Sequence, residues 1–222
     1  MCGRFVQDRS LADYVDWLGV RPASSSVEAA ALARFNIAPA ATVNVFHDRG
    51  DGLLISSLRW GWQPHWATGE RPPPINARVE TVATNRFFAE AWPNRLLVPA
   101  TGWYEWAPDA DDPRLKRPYF VRLRDGAPMF FAAVGRPGEG FVILTASATG
   151  GLLGIHDRQP VVLSPELARE WAAPHTSLAR AAVIATRLGT GAAAFHWYPV
   201  GKDVGNVRNN GPQLLLELHR PH

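Results

Sequence analysis

Apolar residues along the chain come mostly in short runs, alternating with polar ones or continuous over about four to eight positions and cut by Gly and Pro, which is strand-like patterning. Such runs predict strands at residues 42–46, 53–60, 95–98, 103–106, 119–124, 129–134, 141–146 and 161–163. Helix-like spacing is scarcer. It predicts short helices at residues 11–18, at 27–33 and at 85–92, the last with Thr84 as N-cap. A further helix follows Ser164, where Ser-Pro-Glu supplies a cap, a first-turn proline and a carboxylate near the positive helix end. The stretches 108–113 and 136–140 read as hairpin tips. Strands separated by turn residues, with helices scattered among them, predict an α+β fold on a curled antiparallel or mixed sheet.

Length changes the picture little. A chain of 222 residues with 46% hydrophobic content, 9 Trp and 10 Phe can bury a large core, and no repeat or low-complexity run separates two parts, so one domain over residues 1–222 is expected. Arg4, Asp8, Arg9, Asp13 and Asp16 interrupt any apolar leader, and no run reaches the length of a membrane-spanning helix. The expectation is a cytoplasmic monomer without membrane contact. One cysteine excludes an internal disulfide and a cysteine-based zinc site, and the seven His show no ligand spacing, so no metal is expected. The formal net charge is +3, but Arg outnumbers Lys, which occurs only at 116 and 202, and Arg is the side chain suited to phosphate forks.

The chemistry concentrates in a few stretches. Cys2 stands where it is expected neither to pair nor to fill a core. Removal of Met1 by a methionine aminopeptidase would leave it as the first residue, with an α-amine (pKa about 8) and a thiol (about 8.5) on adjacent carbons. Toward an aldehyde the amine can form a Schiff base and the thiol can close a five-membered thiazolidine ring. Toward an amide or ester the thiol can act as a nucleophile with its own amine as base. An inert terminal thiol is the bland alternative. In PPPINARVET, Asn76 and Arg78 alternate and face one side of an extended segment. Glu105 lies between Tyr104 and Trp106, where desolvation would lift a carboxyl pKa toward neutrality, although a strand glutamate more often faces water. His156 precedes an apolar strand, a position more often structural than catalytic. RWGWQPHW interleaves Trp with cations; most of its Trp should be core, with Trp66 the candidate for exposure. GTGAAA, residues 189–194, matches a dinucleotide-binding pattern but leads into FHWYPV rather than a helix, so no nucleotide cofactor is expected.

MCGRF, RFNIAPA, RWGWQPHW, NARVET, RLLVPATGWYEW, KRPYFV and IHDRQPVVL, in this order and spacing, resemble the SRAP family of abasic-site processing proteins from residue 1 to about Leu218. The resemblance implies the family's fold, a mostly antiparallel, barrel-like sheet core with short helices around it. It implies that the mature Cys2 captures the ring-opened aldehyde of an abasic site in single-stranded DNA as a thiazolidine, possible junctions with duplex included. It implies that Asn76 positions the terminal amine and sugar, that Glu105 transfers protons during ring opening and Schiff-base formation, and that His156 assists at the sugar hydroxyl. Arg4, Arg78 and Arg158 correspond to a phosphate clamp, and Asn36, Pro39 and Trp66 to the lining of the strand's path. No cofactor is implied, and DNA binding places the protein on the nucleoid.

The chain departs from the family pattern at Gln159, usually Met, and at Trp62 and Gln63, usually Leu-Ile; Ala146 and Thr149 replace a common Thr and Asn. None of these is a proposed reacting residue. Three rival readings share some of the residues. Class II glutamine amidotransferases also begin Met-Cys-Gly but lack the WYEW and IHDR stretches. A thiol autopeptidase would use Cys2, Glu105 and His156. A noncatalytic single-strand-binding module would need only the Arg and Trp surface.

Overall fold

The computed structural model describes residues 2–20, 33–50, 52–68, 72–109 and 112–218. Its strands, in chain order, are β1 (Phe5–Gln7), β2 (Arg34–Ile37), β3 (Thr42–Asp48), β4 (Leu53–Arg59), β5 (Asn76–Arg78), β6 (Arg95–Ala100), β7 (Gly102–Pro108), β8 (Lys116–Leu123), β9 (Met129–Arg136), β10 (Gly140–Ser147), β11 (Arg158–Pro160), β12 (Val162–Leu163) and β13 (Phe195–Pro199). The helices are α1 (Leu11–Leu18), α2 (Pro165–Ala172) and α3 (Leu178–Arg187). An antiparallel sheet runs β13-β8-β7-β1-β2; a second runs β11-β10-β9-β6-β3-β4, with β12 on β9 and β5 parallel to β10. The α+β, mostly antiparallel expectation therefore stands, with two packed sheets whose described pairings do not close into a barrel.

The layering follows from alternation. In β9, Phe130, Ala132 and Val134 join one apolar cluster while Met129, Phe131 and Ala133 join another. The first cluster lies under α1, α2 and α3, with Leu11, Trp171 and Ile184 among its members. The second fills the space between the sheets, where Phe5, Trp103 and Phe195 of the first sheet meet Val98, Phe131 and Ile143 of the second. A third cluster, with Val6, Tyr104 and Phe120, covers the outer face of the first sheet. Three layers result: sheet, sheet and helices.

Helix ends obey local rules. Ser10 and Asp13 form a capping box on α1, and Gly19 closes it in the left-handed region at φ 69°. Ser164 caps α2 by accepting from the Leu167 N–H, with Pro165 in its first turn. At the other end, buried Arg95 donates to the carbonyls of Trp171, Ala173 and Thr176, which places a cation at the negative end of α2.

Two expectations change and one is not tested. The helix expected at 27–33 falls outside the described residues except for its last position. The helix expected at 85–92 is a 3-10 turn, Arg86–Phe88, capped by Asn85 rather than Thr84; the indole N–H of Trp62 takes the Phe87 carbonyl at 2.9 Å, an acceptor an α-helix would use. The pattern also left out α3, capped by Ser177, and the strands β1, β2, β11 and β13. The stretch 189–194 passes through a 3-10 turn straight into β13, the geometry of a strand entry. Among the described residues no helix is long and apolar enough to cross a membrane.

Candidate functional site

The site forms in the layer between the two sheets. On β7, Trp103 points into that layer, so Glu105, two residues on, points there too, and it is buried. On β5, Ala77 joins the cluster beneath the helices, which turns Asn76 and Arg78 the other way, toward the first sheet. Cys2 enters the same layer just before β1, packed with Phe5, Ile37 and Trp103. The expectation that Cys2 cannot fill a core is corrected here: its relative exposure is 0%. The reason is that β1 is an inner strand of the first sheet, between β7 and β2, so the residues leading into it are covered from both sides.

Asn76 donates from Nδ2 to the Cys2 carbonyl at 2.9 Å, a contact across 74 residues that holds the start of the chain against β5. The Cys2 thiol lies 4.0 Å from the Arg4 carbonyl. Burial pushes its pKa well up, and the charge of Glu105 pushes the same way. Burial also lifts Glu105 to about 7, the positive amino terminus pulling it partway back and Asp157 adding to the rise. Glu105 therefore changes charge in the middle of the physiological range, the property a proton-transfer group needs.

His156 sits in the loop before β11. Its pKa is lowered, first by burial and then by the positive amino terminus, with Asp157 opposing and Lys116 and Arg158 adding. Its Nδ1 accepts the Arg158 backbone N–H at 3.0 Å, while Asp157 Oδ1 stands 2.7 Å from the same nitrogen. One nitrogen cannot satisfy both: it accepts from the amide when the ring is neutral with its proton on Nε2, and donates to the carboxylate when Nδ1 is protonated. Cys2, Asn76, Glu105 and His156 are thus gathered, by a hydrogen bond or by the charges they feel, around the start of the chain.

The expected phosphate clamp is not uniform. Arg78 is exposed. Arg4 is half-buried and donates to Asn36 Oδ1 at 2.8 Å and to the Val204 carbonyl at 2.7 Å, with its guanidinium 5.9 Å from the Trp106 ring. Asn36 is buried and donates to the carbonyls of Val204, Asn206 and Asn209. These two residues fasten the 204–209 segment to β2. Arg158 is buried and forms a two-pronged pair with Glu80 at 2.6 and 2.9 Å. Pro39 is exposed in the turn between β2 and β3, where Ala40 takes φ 67° and donates its N–H to the Trp60 carbonyl at 2.8 Å. A left-handed alanine costs about 1 kcal/mol, so the surrounding contacts dictate that turn and with it the placement of Pro39.

Trp66 is 45% exposed, whereas Trp60 and Trp62 are fully buried, as the sequence led us to expect. Sequence reasoning missed three of the site's neighbours. Arg86 lies over the Trp66 ring at 5.5 Å, and Phe87 meets that ring edge-on at 6.0 Å. Glu80 stands inside the NARVET stretch, yet nothing local marked it as the partner of Arg158. Among the described residues, His65, Glu90 and Glu139 come close enough to hold a cation, but Arg136 Nη1 already lies 2.6 Å from Glu90 Oε2 and 3.6 Å from Glu139 Oε1. That guanidinium supplies the positive charge.

Comparison with known proteins places this geometry in context. The family model described as SOS response associated peptidase (SRAP) matches residues 1–207. The chain is 40% identical over 224 residues to the abasic site processing protein YedK of Escherichia coli (strain K12), covering 97% of this chain and 99% of that one. It is 28% identical over 227 residues to the abasic site processing protein YoqW of Bacillus subtilis (strain 168), covering 97% and 99%. A phage-related protein of Bordetella bronchiseptica superposes with a TM-score of 0.73 at 37% identity, over 90% of this chain and 94% of that one. A protein of Bacteroides thetaiotaomicron shares the fold with a TM-score of 0.79 at 18% identity, over 98% and 100%.

Proposed function

Because the chain belongs to the SRAP family, we propose that it processes abasic sites in single-stranded DNA by capturing their ring-opened aldehyde on Cys2 once Met1 has been removed. The freed α-amine attacks the aldehyde carbon and, with loss of one water, forms a Schiff base. The thiol then adds across the C=N bond, its proton passing to nitrogen, to give a thiazolidine. No redox partner is needed. The amine acts first because burial disfavours the thiolate while the α-amine titrates near neutrality. Glu105 gives a proton to the departing hydroxyl and takes one back, and His156 serves the sugar oxygen. Asn76 holds the Cys2 carbonyl so that amine and thiol face the same carbon.

The observation that carries this reading is the placement of a carboxyl poised near pH 7 beside a thiol whose backbone is pinned by Asn76. Arg78 contacts a phosphate at the edge of the site, while Trp66 with Arg86 stacks on an unpaired base and Pro39 borders the strand's path.

The test is to incubate the processed chain with a single-stranded oligonucleotide containing one abasic site, denature, and locate the attachment by mass spectrometry. A denaturant-stable species attached at Cys2 is expected, smaller by one water than the sum of its parts. Attachment anywhere else would end the proposal. A separate prediction concerns Arg78→Ala. Affinity for the strand should fall, and the slope of log K against log salt should flatten by about 0.7, the value for one phosphate contact on a single strand. An unchanged slope in a binding titration would remove Arg78 from the phosphate contact.

A further inference from the structure

β10 is flanked near its end by two strands that carry site residues. β5, which bears Asn76 and Arg78, lies parallel on one edge, and β11, which follows His156, lies antiparallel on the other. Both meet at Thr145, which pairs with Arg78 and with Pro160. The Thr145 carbonyl accepts the Val79 N–H at 3.0 Å and also the Arg158 guanidinium. That guanidinium reaches on to Ser147 Oγ at 3.3 Å and closes its two-pronged pair with Glu80, two residues past β5. A buried arginine without a counter-charge would be costly, and Glu80 is the carboxylate that meets this one. Arg158 in turn holds its carboxyl below the usual carboxylate range.

The same Arg158 contributes its backbone N–H to His156 Nδ1 at 3.0 Å. We infer that Glu80 is a positioning residue for His156: through the Arg158 guanidinium it fixes the start of β11, so that the Arg158 amide holds Nδ1 as an acceptor and keeps the proton on Nε2. Asp157 competes for Nδ1 from an exposed side chain, its Oδ1 2.7 Å away. Without Glu80 the Arg158 backbone relaxes, its amide releases Nδ1 and Asp157 takes it, moving the proton to Nδ1 and strengthening the charged ring. Asp157, Lys116 and Arg158, together with the amino terminus, act on His156 with their charges, and among the described contacts the Arg158 amide is the one that calls for an accepting Nδ1.

The consequence for capture rests on the proposed function, but the state of the ring does not. The experiment is therefore nitrogen NMR of the His-labelled chain without DNA, the His156 signals assigned by their loss in His156→Gln. The unmodified chain should show an Nε2–H ring with an unprotonated, hydrogen-bonded Nδ1. Glu80→Ala should bring in the Nδ1–H tautomer and raise the ring's pKa, Glu80→Asp should restore part of the original state, and Glu80→Gln should fall between. If Glu80→Ala fails to fold by thermal melting, Glu80→Gln, which keeps one oxygen toward the guanidinium, carries the comparison. An unaltered tautomer and pKa in the folded variants would overturn the inference. In the capture assay Glu80→Ala should be about tenfold slower near neutral pH with strand affinity retained. A tautomer shift in a chain that captures nothing would leave Glu80's role standing and remove the proposed function instead.

Discussion

Replacing Cys2 by Ala in the processed chain should abolish the denaturant-stable adduct altogether, while strand binding measured before denaturation stays within a few fold. The expectation is that sharp because amine and thiol do different parts of one reaction. A chain with only the amine stops at a Schiff base, which water reverses. A chain that retains Met1 lacks the adjacent aminothiol and should fail in the same way, although its thiol is intact. The substitution removes one buried sulfur, a loss of about 1 kcal/mol in packing, so the variant should fold and a thermal melt can show that it has. A stable adduct surviving in Cys2→Ala would rule out the thiazolidine. One surviving in the Met1-retaining chain would rule out the amine's part in it.

Glu105→Gln should slow capture about 100- to 10,000-fold, the range for losing a placed proton-transfer group, with little change in strand affinity. The alkaline limb of the rate profile, centred near pH 7 in the unmodified protein where Glu105 loses the proton it has to give, should disappear with it. The same substitution should stabilise the protein. Glu105 has a carboxyl pKa of about 7 in the fold against 4.5 for the ordinary group, so between those values the folded chain holds a proton that the unfolded chain has released. Stability is then lost as pH rises through that window, by on the order of 3 kcal/mol once pH exceeds 7. Glutamine carries no such penalty. Glu105→Gln should be the more stable protein at pH 8 and should lose that advantage below about pH 4.5. Denaturant titrations at the two pH values decide it: equal gaps would show that Glu105 is not held in a charge-excluding environment.

Strand alternation made part of this site legible without coordinates. Asn76 and Arg78 could be assigned to one face because they alternate along an extended segment, and the structure turns Ala77 between them the other way, under the helices. One local cap was equally readable, Ser164 with Pro165 behind it. The stretch after Asn85 misled because its helix-like spacing is overridden by a bond from Trp62, 25 residues away. α3 went unread because its Ala-rich, β-branched segment has no pattern that tells helix from strand, and only its packing on the second sheet decides it.

The sequence by itself determined the chemistry that lies within one residue's reach: an amine and a thiol on neighbouring carbons after processing, the period-two faces of the strands and the helix caps. Only the tertiary structure decided which groups are charged, covered or already engaged. It buried Cys2, moved Glu105 to the middle of the pH scale, committed Arg4 and Asn36 to the 204–209 segment and gave Arg158 to Glu80, 78 residues away. The division has a physical cause. Covalent neighbours and backbone periodicity are set over a few bonds, whereas desolvation and ion pairing depend on what the packed layers bring from distant parts of the chain.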